Sequence, residues 1–285
     1  MYDLNQFTSK DLAKCSLVLR QFGRDAGSMT EASRKIAKYI YEHFCDAETG
    51  AKSCALVRVF KTHPYRELKE SLPKCFFPLV NSTSPEAEIK CWRLLAAAGT
   101  QPQWNSWNTV ENTEIALMSE DFVAQIPMIS ELSRQLGLDI PTLLGIKRQM
   151  LQELEAKIFD VFYLSDAEYS PFVSEKNSLI IPYQVKSVLG FGGFLPSGNF
   201  FFVLMFLKIK IPSTTATQFK DLALGIKTAL LPFDGGVVFE PSESHAYLAE
   251  YAVISVAQNQ VIQLSVRDNR SVSVLTDNSG DNNLN

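Results

Sequence analysis

The chain has 285 residues, of which 46% are hydrophobic and 20% are charged, so it carries enough apolar material for a folded core. Its net charge of −4, from 27 basic and 31 acidic residues, excludes a broad nucleic-acid-binding surface, which needs clustered Lys and Arg. No segment approaches the ~20 apolar residues that span a bilayer, and charges interrupt the N-terminus. We therefore expect a cytoplasmic protein with no signal peptide or membrane span.

The cysteines are scattered, and no two of them have the CxxC spacing of a metal or redox motif. This arrangement predicts free, buried thiols and argues against a disulfide framework or a zinc site. The set comprises Cys15, Cys45, Cys54, Cys75 and Cys91.

Two helices are predicted at the N-terminus, over residues 9–22 and from Met29 to about Asp46. Ser28 and Glu31 fit the S-x-x-E capping box at the start of the second helix. Behind this cap, apolar residues recur every four positions and predict one buried face. These residues are Ala32, Ile36, Ile40 and Phe44.

Two paired strands are predicted next. Residues 54–60 read as a buried strand that residues 62–64 break, and a short helix is expected at 65–72. Residues 92–98 form the partner strand, which Gly99 ends. Alternation in the first strand puts Ala55, Val57 and Val59 on one face and Leu56, Arg58 and Phe60 on the other.

Residues 99–158 read as a variable insertion. A short strand is expected at 115–118, followed by a helix through Ile129 that Pro127 breaks or kinks and Gly137 ends. Residues 143–154 have a helical pattern, and residues 159–164 are typical of a further strand.

A β-hairpin followed by a helix is the clearest unit. Residues 187–195 and 200–208 form two strands around the turn at 196–199, where Gly and Asn tolerate positive φ. The second strand, FFFVLMFL, has no polar alternation, so it should be central and covered on both faces. Thr215 and Gln218 fit a capping box for a helix that Pro232 stops and that buries Phe219, Leu222, Ala223, Ile226 and Leu230.

The remaining residues change in character after Gly236. Residues 246–264 fit either a helix or strands, because tyrosines at helical spacing compete with a high β-branched content. Residues 276–285 are polar and Asn-rich, which favours a disordered tail.

Several segments resemble the GAF fold, a ligand-binding sensory domain of signalling proteins. They are CALVRVF at 54–60, RLLAAAGTQPQWN at 93–105 and SVLGFGGFLPSGNFFFVLMFLKIKIPSTTATQFKDLALGIKTALLPF at 187–233. With VAQIPMIS at 123–130, the set is similar to GAF-like regions N-terminal in bacterial multidomain sensor histidine kinases.

The resemblance implies an α+β fold with a central, mostly antiparallel sheet and helices packed on one or both faces. It divides the chain into an extension (1–28), a GAF-like domain (29–233, with 99–158 as the insertion), a second extension (234–275) and the tail. Nothing after Phe233 resembles a kinase, so output would pass to another chain.

The function that the resemblance implies is non-catalytic sensing or regulation. The module would bind a small molecule or a partner protein, pair as a homodimer through its terminal helices and signal to a separate effector such as a kinase. Two alternatives stay open: an interaction scaffold whose pocket is filled by side chains, and a GAF-type redox enzyme that would need Cys54, Cys75 and Cys91 to converge.

A ligand pocket is expected among residues that border a GAF site. Arg58, in an apolar strand, could clamp an anionic ligand, or it could form an internal ion pair or lie at an edge. Aromatic side chains would line the cavity or belong to the core. The candidate pocket residues are Arg58, Phe60, Phe162, Tyr163, Tyr169, Phe172, Tyr183 and Phe191.

The sequence offers few candidate residues for a cofactor or for catalysis. The cofactor stays unknown: His63 is the best of three histidines for a haem, and Cys54 is poorly situated for a bilin thioether. The sequence contains no G-x-S-x-G, Walker or HExxH motif, so no catalytic residue and no metal ligand is predicted. The GFGG of 190–193 lies in a strand, and close backbone packing explains it better than a phosphate loop does.

Overall fold

The computed structural model describes residues 1–64, 90–105, 115–117, 123–124, 126–143, 153, 156–157, 159–240, 252–257, 260–265 and 273–274. The helix predicted at 65–72, most of that predicted at 143–154, the tail at 276–285 and Cys75 lie outside these residues.

The protein combines five α-helices with nine strands in the part of the chain that the structure describes. The helices are α1 (Ser9–Gln21), α2 (Met29–His43), α3 (Pro127–Leu136), the single turn α4 (Ile140–Leu143) and α5 (Ser213–Leu230). The strands are β1 (Cys54–Pro64), β2 (Lys90–Gly99), β3 (Ile115–Leu117), β4 (Phe162–Leu164), β5 (Ser187–Phe194), β6 (Phe200–Leu207), β7 (Ala252–Ala257), β8 (Gln260–Ser265) and β9 (Ser273–Val274).

The first six strands form one sheet in the order β3-β2-β1-β6-β5-β4, and every neighbouring pair is antiparallel. The expected α+β class with an antiparallel sheet is therefore confirmed. Strands β7, β8 and β9 form a separate antiparallel sheet, so the open choice for 246–264 is decided in favour of strands at the described positions.

Strand β1 is longer than predicted, and the expected break at residues 62–64 is wrong. The strand continues to Pro64, which pairs only with β2 because the pairing with β6 ends at Lys61. A proline can end a strand at a position where no neighbour needs its missing N–H. The predicted alternation also fails at Ala55, which packs with Leu56 because the register shifts between Cys54 and Leu56.

The predicted hairpin is confirmed. Strands β5 and β6 pair throughout around a turn in which Gly198 has φ +77°. Strand β6 lies between β1 and β5, and all its residues are buried, as the absence of polar alternation predicted.

One side of the sheet, which we call the helical face, is covered by α1, α2 and α5. Val57 and Val59 of β1 and Phe191 of β5 face this layer, as do the predicted apolar stripes of α2 and α5. Helix α1 packs on α5, where Ser16 lies against Gly225. The helical face therefore buries its side chains under regular secondary structure.

The helix caps differ in part from the predictions. The Ser28 hydroxyl accepts from the Glu31 N–H, but the Glu31 carboxylate accepts from the Gly27 N–H, 2.7 Å away, instead of completing the box at Ser28. The capping box predicted for Thr215 is wrong, because α5 already begins at Ser213 and no side chain caps it. A capping box does exist at α1, between Thr8 and Asp11.

The opposite side of the sheet, which we call the loop face, is covered by α3, by the 3₁₀ turn Pro102–Asn105 and by residues 165–186. Helix α3 begins at Pro127, so this proline breaks the predicted helix and opens α3 instead of kinking it, and Gly137 ends α3 in the left-handed conformation as predicted. Leu56, Phe202 and Phe206 of the sheet pack toward this cover.

The N-terminal extension and the first residues of the second extension pack against the rest of the molecule. At the N-terminus, the Tyr2 N–H donates to the His43 carbonyl, and Tyr2, Leu4 and Phe7 are buried in the helical-face core. After α5, residues 237–240 return to the start of α2, where the Met29 N–H donates to the Val237 carbonyl. Among the helices that the structure describes, none is long and apolar enough to cross a membrane.

Candidate functional site

The structure divides the eight predicted pocket residues between the two faces. Arg58, Phe60, Phe162, Phe172 and Tyr183 lie on the loop face or in its cover. The other three do not join them. Tyr163 and Phe191 pack on the helical face, and Tyr169 is 79% exposed.

Arg58 forms an internal ion pair, which was one of the alternatives for this residue. Its Nη1 and Nη2 each lie 2.9 Å from a carboxylate oxygen of Glu175, in the two-pronged geometry that favours Arg with a carboxylate. The guanidinium carbon is 5.5 Å from the centroid of the Phe206 ring. The side chains are 23% and 33% exposed, so the pair is half-buried at the middle of the sheet, and its edge is open to solvent.

A second polar contact joins the two irregular segments above the sheet. The Gln101 Nε2 donates to the Tyr183 hydroxyl at 2.5 Å, and the Trp104 ring meets the Tyr183 ring edge-on with centroids 4.7 Å apart. Trp104 also lies directly over Gly99, where an added Cβ would be 2.7 Å from the indole. Gly99 is therefore needed for this close approach.

Trp92 has a buried indole N–H that no acceptor satisfies. The side chain is 5% exposed on the loop face, and the Phe60, Phe200 and Phe202 rings surround it edge-on. Its Nε1 has no hydrogen-bond partner. A buried polar group without a partner costs about 1–3 kcal/mol, so an acceptor brought to this position would be favoured.

The segment that carries Glu175 departs from regular geometry. It forms a π-helical turn over Lys176–Ile180, a rare form that occurs often at functional sites. Gln184 follows at φ +56°, in a left-handed region that a side chain rarely adopts without tertiary support. The ion pair to Arg58 and the hydrogen bond to Tyr183 supply part of that support.

The glycines of β5 serve close packing, as predicted. A Cβ on Gly190 would lie 2.2 Å from the Phe202 ring, and one on Gly192 would lie 2.1 Å from the Phe201 carbonyl oxygen. Gly190 therefore makes room for an aromatic side chain of the loop face. Gly192 lets two backbones approach.

The residues considered for cofactors lie away from the loop face. His63 packs near Phe239, which joins the helical-face core. Cys54 is fully buried in that same core, and burial raises the pKa of its thiol to about 12, so it is protonated at neutral pH. Neither His63 as a haem ligand nor Cys54 as a bilin nucleophile would reach a ligand on the loop face.

The redox alternative meets a geometric obstacle. Cys91 pairs with His63 near one end of β1, whereas Cys54 begins the strand at the other end. At about 3.3 Å per residue, this separation is roughly 30 Å. Cys15, Cys45, Cys54 and Cys91 are all buried and unbridged, as predicted for free thiols.

Three groups on the loop face could not be predicted from the sequence. They are the Glu175 carboxylate, the Gln101 side-chain amide and the unsatisfied Trp92 indole N–H. Glu175 lies far along the chain from Arg58, so no local spacing could pair them. The one available signal was Arg58 itself, because a charged residue in an apolar strand needs an acidic partner.

No protein-family model matches the chain, and the comparison with curated proteins finds no match. The site is therefore interpreted from its own geometry.

Proposed function

We propose that the protein is a GAF-like, non-catalytic sensory or regulatory module that binds a small molecule on its loop face and signals through another chain. The observation that carries the proposal is the Arg58–Glu175 ion pair, half-buried beside the Phe206 ring at the centre of the sheet. A charged pair in this setting stabilises a fold weakly, so a role in recognition explains it better.

The element order supports the GAF-like assignment. The chain has the expected sequence of a helix, two paired strands, an insertion, a strand, an irregular segment, a hairpin and a closing helix. The hairpin β5–β6 lies beside β1 in the sheet, and α5 returns over it on the helical face.

In this mechanism, Glu175 occupies the position that a ligand anion would take. A carboxylate or phosphate group could accept the same two guanidinium hydrogen bonds and release Glu175 into solvent. The Phe206 ring beside Arg58 and the Phe60 ring beside Trp92 suit a ligand with a flat apolar body that extends along β1. An acceptor at the far end of that body would satisfy the Trp92 indole N–H. The predicted ligand is therefore an aromatic or heteroaromatic anion.

A hydrogen bond at the edge of the sheet could transmit a shift of the loop-face cover to the helices. The Tyr163 hydroxyl donates to the Ile211 carbonyl at 2.6 Å, just before α5 begins. Tyr163 follows Phe162, which packs under the loop-face cover. A shift of this cover on ligand binding would therefore move β4 and the start of α5 together.

The homodimer is part of the proposal. Leu17 of α1 and Leu224 of α5 are 59% and 52% exposed, and they flank the crossing where Ser16 meets Gly225. An apolar surface on terminal helices suits pairing with a second copy. Scattering at high micromolar concentration should give a dimer, and Leu17→Glu combined with Leu224→Glu should give a monomer.

Native mass spectrometry of the full chain tests ligand binding and oligomeric state together. Thermal shifts with cyclic nucleotides, amino acids and small aromatic acids then compare three forms: the wild type, Arg58→Gln and Glu175→Gln. An aromatic anion should stabilise the wild type, and it should stabilise Glu175→Gln more strongly because no resident carboxylate competes. Flat responses in all three forms, with no retained ligand, would favour the alternative of an interaction scaffold with a filled interior.

Trp92→Phe sharpens the same test. The change keeps an aromatic ring and removes the unsatisfied N–H, so stability should stay within about 1 kcal/mol of the wild type. Affinity for the aromatic anion should fall about tenfold if the ligand accepts from Nε1. Unchanged affinity would mean that the ligand does not reach Trp92.

A further inference from the structure

Two basic side chains, Lys61 and Arg93, lie beside a buried histidine, His63, near the paired ends of β1 and β2 on the helical face. Lys61, His63 and Arg93 are each at most 2% exposed, although ionisable groups of this kind are mostly found at protein surfaces. His63 is neutral in this environment, because its pKa lies well below the ordinary value. Burial is the main cause, and the positive charges of Lys61, Arg93 and Lys90 add to it. Its Nε2 is buried and has no hydrogen-bond partner.

Residues 237–240, which we call the latch, close over this cluster. The Phe239 ring lies 4.0 Å below the Arg93 guanidinium carbon and 5.5 Å from the His63 ring. Glu240 forms an ion pair with Arg34 of α2. The latch therefore joins the C-terminal extension to the sheet by one aromatic ring and to α2 by one ion pair.

The latch also caps α2 through its backbone. The Met29 and Thr30 N–H groups, the first two of the helix, donate to the Val237 and Val238 carbonyls at 3.0 Å each. N–H groups in the first turn have no partner within their own helix, so these two depend on the latch. Their protection from solvent exchange reports whether the latch is closed.

We propose that the latch is a pH-sensitive closure: it lies over the sheet while His63 is neutral and opens when His63 is protonated. Within the described part of the chain, the charged and titratable groups that face His63 or border the latch include Lys61 on β1, Lys90, Cys91 and Arg93 on β2, Glu240 on the latch and Arg34 on α2. A proton on His63 would add a further cation to this buried group, without a hydrogen-bond acceptor at Nε2. Opening would hydrate the imidazolium and release the C-terminal extension from α2.

The direction of the pH effect follows from linkage. The closed state disfavours the protonated imidazole, so closure is fully stable above the ordinary histidine pKa of about 6.5 and weakens as the pH falls below it. With the ordinary histidine pKa of about 6.5 in the open state, the ratio of open to closed latch rises by about tenfold or more between pH 7.5 and pH 5.

Amide hydrogen exchange on the full chain, corrected for the intrinsic pH dependence, tests this directly. Protection of the Met29 and Thr30 amides should fall about tenfold from pH 7.5 to pH 5, while the Ile36 and Ile40 amides in the same helix stay protected. His63→Phe keeps a buried ring that cannot titrate and should abolish the fall, whereas His43→Gln, at the other end of α2, should keep it. Phe239→Ala should lower protection of both latch-bound amides already at pH 7.5.

Three results would overturn the proposal. These are constant protection of Met29 and Thr30 across the pH range, an equal fall in His63→Phe, and a parallel fall at Ile36 and Ile40, which would indicate global acid unfolding. If His63→Phe does not fold, His63→Gln and an NMR titration of the wild-type imidazole replace it. An imidazole that titrates near pH 6.5 with no change in Met29 protection would equally contradict the latch.

Discussion

The two faces of the central sheet are covered in different ways. On the helical face, α1, α2 and α5 bury a continuous apolar layer, and the buried charged groups Lys61 and Arg93 lie near the latch. On the loop face, α3 and irregular segments cover the sheet. Arg58 joins the cover to the sheet by an ion pair, and a hydrogen bond between Gln101 and Tyr183 joins two segments of the cover to each other. The contrast separates a face covered by regular helices from one whose cover includes exchangeable polar contacts.

This contrast has an energetic meaning. A packed helix interface is stabilised by many dispersion contacts and by apolar burial, and it cannot open without losing most of them. The loop-face cover also buries apolar side chains, but the segment that carries Glu175 is joined to the sheet by an ion pair, and exchanging that pair for a ligand anion costs only a few kcal/mol, which a ligand can supply. Binding on the loop face and signalling through the helical face is the division of roles that this difference favours.

The largest effect should come from removing a core side chain of the helical face. Phe219→Ala removes a fully buried ring that contacts Phe7, Phe44 and Phe191, and we expect a loss of about 3–5 kcal/mol in the free energy of unfolding. Phe172→Ala, in the half-buried cover of the loop face, should cost roughly 1–2 kcal/mol. Urea titrations of both variants measure the two losses in the free energy of unfolding. Equal losses would contradict the proposed difference between the faces.

The sequence predicted the helical face better than the loop face, for a physical reason. The stripes Ala32–Ile36–Ile40 of α2 and Phe219–Leu222–Ile226 of α5 are local, since one helix face is fixed by 3.6-residue spacing. The strands β5 and β6 were predicted equally well, because a tight turn fixes their register.

The sequence-based predictions were wrong where residues distant in the chain determine the strand bounds and the register. The register shift beside Ala55 and the extension of β1 to Pro64 depend on pairing with β6 and β2. Tyr163 and Phe191 lie on the helical face because β4 pairs with β5, and β5 with β6, in a register that the local sequence does not reveal. Glu175 could not be found at all, since only the folded chain brings it to Arg58.

An intermediate effect is expected at the Arg58–Glu175 pair. Its exposure lies between that of surface pairs, worth 0.2–1 kcal/mol, and buried pairs, where removing one partner costs about 3–5 kcal/mol. We therefore expect Arg58→Leu or Glu175→Leu alone to cost about 1–2 kcal/mol, with a coupling energy of about 1 kcal/mol in the double-mutant cycle.

Salt dependence provides the control for this cycle. The exposed pair between Lys210 and Asp166 serves as the matched comparison, and its coupling should be smaller and lost at 1 M NaCl. A coupling of 3 kcal/mol or more at Arg58 would show that the loop-face cover is as firmly fixed as the helical face. In that case ligand exchange at Glu175 would lose its energetic basis.

The smallest effect tests how far the stability of the helical face extends to α1, its outermost helix. The Thr8 hydroxyl accepts from the Asp11 N–H, and the Asp11 carboxylate accepts from the Thr8 hydroxyl and N–H. Thr8→Ala should cost about 0.5–1 kcal/mol in urea titrations near neutral pH. Thr214→Ala, an exposed position in the first turn of α5 where no side chain caps the helix, is the control and should be neutral.

The same cap predicts a dependence on acid. The hydrogen bond from the Thr8 hydroxyl lowers the pKa of the Asp11 carboxyl below its ordinary value. A lowered carboxyl pKa stabilises the fold above the unfolded-state pKa, near 3.9, and this contribution disappears as the pH falls through the folded-state pKa. The difference between wild type and Thr8→Ala should therefore shrink below pH 4. A difference that persists at pH 2.5 would mean that the Thr8 hydroxyl acts mainly by accepting from the Asp11 N–H, and that the charged half of the cap adds little.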